Sequence, residues 1–319
     1  MKISLRLLCS LYSLYLLPLT AVAQGTPARP KITGISHLAV YASDLSKTND
    51  YYMRTVGCVR FPTSLTGQGT DYFVDSSQFV EVLPIPPSAG NDRLDHIAFT
   101  TTDADGLRRY LIAKGVAAPA PVMKFKSGTR WFEVKDFEGN SVQFLEPISV
   151  SLTAHGAMSQ ASLVGHHVIH IGMLVRDRAA ADRFYRDILG FRLYWHGGMQ
   201  PDKTDWVAMQ VPDGTDWLEY MLTSGPSGSG VPASISQKQL GVLNHLSIGV
   251  VSMSAAVATL KSENRITPEH SGPQIGKDGK WQFNDFDPDE TRLEYMEFTP
   301  VEKPCCAPFT GPQPSPEGN

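Results

Sequence analysis

The chain is predicted to be an α+β protein made of four βαβββ units, and three observations predict it. A segment opening on histidine recurs at His37, His96, His170 and His245. A helix-capping residue stands seven positions later each time, at Asp44, Asp103, Asp177 and Ser252. After each helical stretch come runs that alternate apolar and polar residues between turn residues, the pattern of strands. The tetrapeptide Leu-Glu-Tyr-Met occurs twice in such runs, and its glutamates, Glu219 and Glu294, have the same spacing as His170 and His245.

Taken in order, each unit starts with a short apolar strand. The capping side chain then accepts hydrogen bonds from the free N–H groups of a first helical turn. In "HIGMLVRDRAAADRFYRDILGF", Ala181, Phe184, Tyr185, Ile188 and Leu189 form the apolar stripe of a helix lying on a sheet. Gly190 closes that helix, as Gly57 and Gly115 close theirs, because a left-handed terminal position favours a residue without Cβ. The fourth unit ends at Asn264 instead. Three strands follow each helix, read in "DYFVDSSQFVEVLP", "TRWFEVKDFEGNSVQFLEP", "TDWVAMQVPDGTDWLEYML" and "KWQFNDFDPDETRLEYMEF".

The ends read differently. Residues 1–23 combine an early Lys2 and Arg6, an apolar core and Ala21-Val22-Ala23, the pattern of a cleaved signal peptide. A secreted or periplasmic location is the expectation, with no membrane association after cleavage. Residues 148–164 lack a sustained period and read as a linker, and the Gly/Ser-rich stretch from Ser224 reads as a solvated loop. Residues 301–319, rich in Pro, Gly and Ser, read as a disordered tail. Cys58, Cys305 and Cys306 are too few and too oddly placed for a disulfide framework. A net charge of −4 with 19% charged residues excludes a large basic surface and so argues against nucleic acid. A monomer or homodimer acting on a small molecule is the expectation.

Four units in register, with "HIGMLVRDRAAADRFYRDILGF" and "NDFDPDETRLEYMEF" as the most specific stretches, resemble the vicinal oxygen chelate superfamily. That superfamily includes glyoxalase I, extradiol ring-cleaving dioxygenases, methylmalonyl-CoA epimerase and bleomycin-resistance proteins. The resemblance implies units paired into two glyoxalase-like domains, residues 32–147 and 165–300, each with a curved, cup-forming mixed sheet. It also implies that ligands come from the first and last strands of each unit. Carried onto this chain, these are His37, Glu81, His96 and Gln143 in the first half, and His170, Glu219, His245 and Glu294 in the second.

The chemistry of the second set agrees with this. A carboxylate in an apolar strand is costly unless paired or bound to metal. Two carboxylates brought together need a proton or a cation between them. Two imidazoles and two carboxylates suit a divalent ion such as Zn, Ni, Mn, Co or Fe. Four of the nine histidines share one register, whereas His155, His166, His167, His196 and His270 do not and read as surface or loop residues. Glu297 reads as solvated. The first half is weaker, because Gln143 replaces a carboxylate and the strand register around Glu81 is open; a structural copy without metal is the preferred reading there.

The main expectation is a glyoxalase- or epimerase-like lyase or isomerase. In it the metal polarises adjacent substrate oxygens, and Glu219 or Glu294 moves a proton from the neighbouring carbon. One alternative is an extradiol Fe(II) dioxygenase using His170, His245 and Glu294, in which Glu219 is surplus. The other is a small-molecule binding or resistance protein without turnover.

Overall fold

The structure, a computed structural model, describes residues 27–318 apart from 62–63, 66, 125–127, 154–158 and 223–234. The expected signal peptide, His155 and most of the Gly/Ser loop lie outside the described residues. Among the described residues no helix is long and apolar enough to cross a membrane.

Two eight-stranded mixed sheets form the frame. The first contains β1 (Ile32–Ala42), β2 (Val59–Arg60), β3 (Thr70–Phe73), β4 (Phe79–Pro84), β5 (Leu94–Thr101), β6 (Met123–Lys124), β7 (Arg130–Lys135) and β8 (Ser141–Leu145). Its order is β2-β3-β4-β1-β5-β8-β7-β6. The second contains β9 (His167–Val175), β10 (Arg192–Gly197), β11 (Trp206–Gln210), β12 (Trp217–Leu222), β13 (His245–Val250), β14 (Gln274–Ile275), β15 (Trp281–Phe286) and β16 (Arg292–Glu297). Its order, β10-β11-β12-β9-β13-β16-β15-β14, repeats the first pattern. The α+β class holds. In each sheet the two histidine-bearing strands pair antiparallel at the centre, and each pairs parallel with the last strand of its own unit.

All four expected caps form. Asp44, Asp103, Asp177 and Ser252 accept from backbone N–H groups of α1 (Leu45–Asp50), α2 (Ala104–Ala113), α3 (Arg178–Ala181) and α5 (Met253–Ser262). Two helices differ from expectation, since α1 and α3 widen into π-helical turns over Tyr51–Val56 and Asp182–Ile188. The predicted stripe is still buried, from Ala181 to Leu189. Gly57 and Gly190 end these helices at φ 96° and 84°, and Asn264 does so for α5 at φ 54°. An additional helix, α4 (Gln237–Leu243), starts on a capping box of Ser236 and Gln239.

The helix-facing residues of both sheets share one continuous core, including Leu38, Val40, Phe99, Ile171, Tyr220, Leu246 and Tyr295. Strand alternation then turns His37, Glu81, His96 and Gln143, and their counterparts in the second sheet, to the faces away from the helices. Those two faces are covered differently. Over the first sheet, Leu65 and the linker residues Ile148, Val150 and Leu152 pack on Phe73 and Phe79. Part of the expected linker is therefore apolar packing.

The tail also departs from expectation. Phe309 packs on Tyr194 and Trp195, and the Thr310 N–H donates to the Tyr194 carbonyl at 2.9 Å. The Pro312 and Ser315 carbonyls accept from Gln210 and His167. Its composition suggested disorder, but one aromatic anchor and several backbone contacts hold it on the second sheet. Cys305 and Cys306 are bonded to each other, and Cys58 is free and buried.

Candidate metal centre

The ladder brings the four second-half residues together. Gly172 of β9 lies opposite both His245 of β13 and Glu219 of β12, while Ser247 of β13 lies opposite His170 and Glu294. His170 Nε2 is 3.0 Å from His245 Nε2 and 3.0 Å from Glu294 Oε2. Glu219 Oε2 is 3.5 Å from His245 Nε2 and 4.0 Å from His170 Nε2, and Glu294 Oε2 is 3.9 Å from His245 Nε2. An ion bound at about 2.0–2.2 Å keeps its nitrogen and oxygen ligands roughly 3 to 4 Å apart, so the cluster fits a divalent cation.

Local sequence explains the fit. A Cβ at Gly172 would sit 1.9 Å from His245 Cε1, so only glycine leaves room for the imidazole. His170 stacks on Trp217 with ring centres 4.7 Å apart, and the His245 Nδ1–H donates to the Leu243 carbonyl at 3.0 Å. That donation leaves Nε2 of His245 as the lone-pair nitrogen facing the cluster.

The two glutamates are not equivalent. Glu294 is 2% exposed, whereas Glu219 keeps 16% of its side chain open. Burial and the nearby Glu294 raise the Glu219 carboxyl to about 8. Burial also pushes Glu294 upward, but its hydrogen bond to His170 and the charge of Arg292 hold it below the usual carboxylate range. Burial lowers His170, and burial with Arg292 and His170 lowers His245 further, which keeps both imidazoles neutral and able to donate.

A cavity of about 600 Å³ opens beside the cluster, lined by Trp195, Trp206, Glu219, Asn284, Arg292 and Glu294 among others. Sequence reading missed two basic residues of this region, Arg292 on the cavity wall and Lys280 behind it. The Arg292 guanidinium stands 2.8 Å from His245 Nε2 and 4.0 Å from Glu294 Oε1. Lys280 is fully buried, with Nζ 4.8 Å from the Trp217 ring centre and 5.3 Å from that of Phe309. Arg292 sits two positions before Glu294 and so on the same strand face, a signal that was available; Lys280 gave none.

Two residues read as solvent-facing are structural. His167 is buried, and its Nε2 lies 2.8 Å from Asp216 Oδ1 while Nδ1 donates to the Ser315 carbonyl. Glu297 accepts the Met253 N–H at 2.7 Å, capping α5.

The first-half residues also converge. His37, Glu81 and His96 form a second fully buried group, and Gln143 takes the ladder position that Glu294 has in the other sheet.

Residues 167–295 match the model of the Glyoxalase/Bleomycin resistance protein/Dioxygenase superfamily. A 175-residue stretch is 29% identical to an iron-dependent extradiol dioxygenase of Rhodococcus jostii (strain RHA1). That match covers 51% of this chain and 55% of the relative, about half the length of each. The 2,3-dioxygenase LapB from Pseudomonas sp. KL28 superposes with a TM-score of 0.64 at 14% identity, covering 92% of this chain and 97% of its own. Homoprotocatechuate 2,3-dioxygenase from Brevibacterium fuscum, in complex with 3,4-dihydroxyphenylacetate, gives 0.60 at 15% identity, with 90% and 84% covered. A Mn(II)-bound glyoxalase from Novosphingobium aromaticivorans gives 0.58 at 16% identity, with 84% and 83% covered. At these identities the structural likeness speaks for the fold.

Proposed function

We propose that this member of the vicinal oxygen chelate superfamily is a metal-dependent dioxygenase of the extradiol type, acting on a catechol-like substrate. The observation that carries the proposal is the inequality of the two glutamates. Both line the cavity, but Glu294 is 2% exposed and lies 3.0 Å from His170, whereas Glu219 keeps 16% of its side chain open. His170, His245 and Glu294 then make a set of two imidazoles and one carboxylate, leaving the cavity side for ligands, as Fe(II) oxygenases require. The 29% identity to an iron-dependent extradiol dioxygenase supports the same reading and reverses the preference for a lyase or isomerase.

When bound, a divalent iron supplies Lewis acidity toward two neighbouring substrate oxygens and redox coupling to dioxygen. The remaining tasks belong to the chain. Glu219, at the edge of the cluster, takes and returns the proton of a substrate hydroxyl. Arg292 turns from His245 to hold a negatively charged substrate oxygen. Trp195, Trp206, Met221 and Met296 give the cavity apolar walls suited to an aromatic ring.

A second reading keeps Glu219 as a fourth ligand, because its carboxylate lies within 4.0 Å of both imidazoles. That set suits glyoxalase-type proton transfer. One experiment separates the two: oxygen uptake after anaerobic Fe(II) loading, with a panel of catechols, for the parent and for Glu219→Gln. We expect the parent to consume oxygen, and the variant to retain iron while losing at least about a hundredfold in kcat. Loss of iron in the variant, with no oxygen uptake by the parent, would refute the dioxygenase reading.

A further inference from the structure

The first sheet carries a cluster that the proposed reaction does not use. His37 Nε2 and His96 Nε2 are 2.8 Å apart, and Glu81 Oε2 lies 3.8 and 3.7 Å from them. All three side chains are fully buried, and so is Gln143. The Gln143 amide N–H donates to Glu133 at 3.3 Å, but its Oε1 accepts no hydrogen bond among the described residues. Register places these residues as it places the second-half set: Ala39 lies opposite His96 and Glu81, and Ala98 lies opposite His37 and Gln143.

The surroundings orient both rings. His96 Nδ1 is 2.6 Å from Asp95 Oδ2, and Asp95 is itself held by the Tyr41 hydroxyl. His37 Nδ1 is 3.2 Å from Ser36 Oγ, and its ring stacks on Phe79. A carboxylate on Nδ1 sets the His96 tautomer and directs the Nε2 lone pair inward, the usual support of a metal-binding imidazole. Two inward nitrogens at 2.8 Å share either a proton or a cation. A proton satisfies that single contact and leaves the Gln143 oxygen without a donor. A cation draws several oxygens at once.

We propose that the first half of the chain holds a second divalent metal ion, a closed structural one, bound by His37, His96, Glu81 and the Gln143 carbonyl oxygen. The closure is what separates it from the second-half centre. Leu65, Ile148, Val150 and Leu152 pack over this face, so no coordination position opens to a substrate. The sequence pattern favours a structural copy without metal, but it does not reveal this packing or the Asp95 support.

The test is metal stoichiometry, which needs no turnover. The full chain is stripped with a chelator, equilibrated with Zn²⁺ by dialysis and assayed by mass spectrometry for zinc per chain. Two ions per chain are expected for the parent and one for Glu81→Gln, with one also for His245→Ala. Gln143→Leu, which keeps the shape and removes the oxygen, weakens one site at least tenfold and provides a second variant should Glu81→Gln fail to fold. One ion in the parent that is lost in His245→Ala, or two ions in both Glu81→Gln and Gln143→Leu, overturns the proposal. Because oxygen uptake is not the readout, failure here is distinct from failure of the dioxygenase reading.

Discussion

Gly172 places its whole contribution in the side chain it lacks. The His245 ring occupies the space of the missing Cβ, so Gly172→Ala must push the imidazole away from His170 and Glu294. Metal affinity should fall by about 10- to 100-fold, measurable by competition with a chromogenic chelator; unchanged affinity would mean that the ring does not bind metal from this position. The residues of this cluster were legible because they repeat at one spacing within apolar strands. Strand alternation puts Arg292 on the face of Glu294, but its approach to His245 depends on cross-strand geometry that the sequence does not carry. Lys280 was invisible for a similar reason, since its aromatic surroundings come from Tyr194, Trp217 and Phe309, far apart in sequence.

Elements were legible where a local rule governs them. Caps, stripes and closing residues formed as read, because hydrogen bonds to helix ends and helical periodicity are local properties. The π-helical turns were not legible, because they depend on how the helices seat between two sheets. The tail was misread because composition records few apolar residues but not that Phe309 finds a site beside Tyr194. Phe309→Ala should destabilise the fold by about 1–3 kcal/mol, the scale for a partly buried aromatic, seen as a lower urea midpoint; no change would return the tail to a passive role.

The start of β9 carries a pH-dependent tie. Burial would lower the His167 pKa, but the Asp216 hydrogen bond and charge outweigh it and raise it. A raised histidine contributes stability that is complete below its unfolded value of about 6.5 and is lost as pH rises through the folded one. Urea midpoints should therefore decline over that window in the parent, and His167→Gln should remove this component. A pH profile of His167→Gln that runs parallel to the parent's over the same window would contradict the assignment.

On the scale of the whole molecule, two sheets of the same strand order share one core and carry their polar clusters on the faces away from it. The fold was legible because four units in register leave few ways to pair. Which face opens was not, because it is decided by segments without periodicity. Residues 148–152 cover the first face, whereas the second retains a cavity of about 600 Å³. Under the two proposals above, the same residue pattern serves structure on one side and substrate on the other. The most direct measurement is anomalous diffraction at the iron edge from crystals loaded anaerobically with Fe(II). A peak within bonding distance of His170 Nε2, His245 Nε2 and a Glu294 carboxylate oxygen is the predicted result. No density there in an iron-saturated crystal would contradict the account.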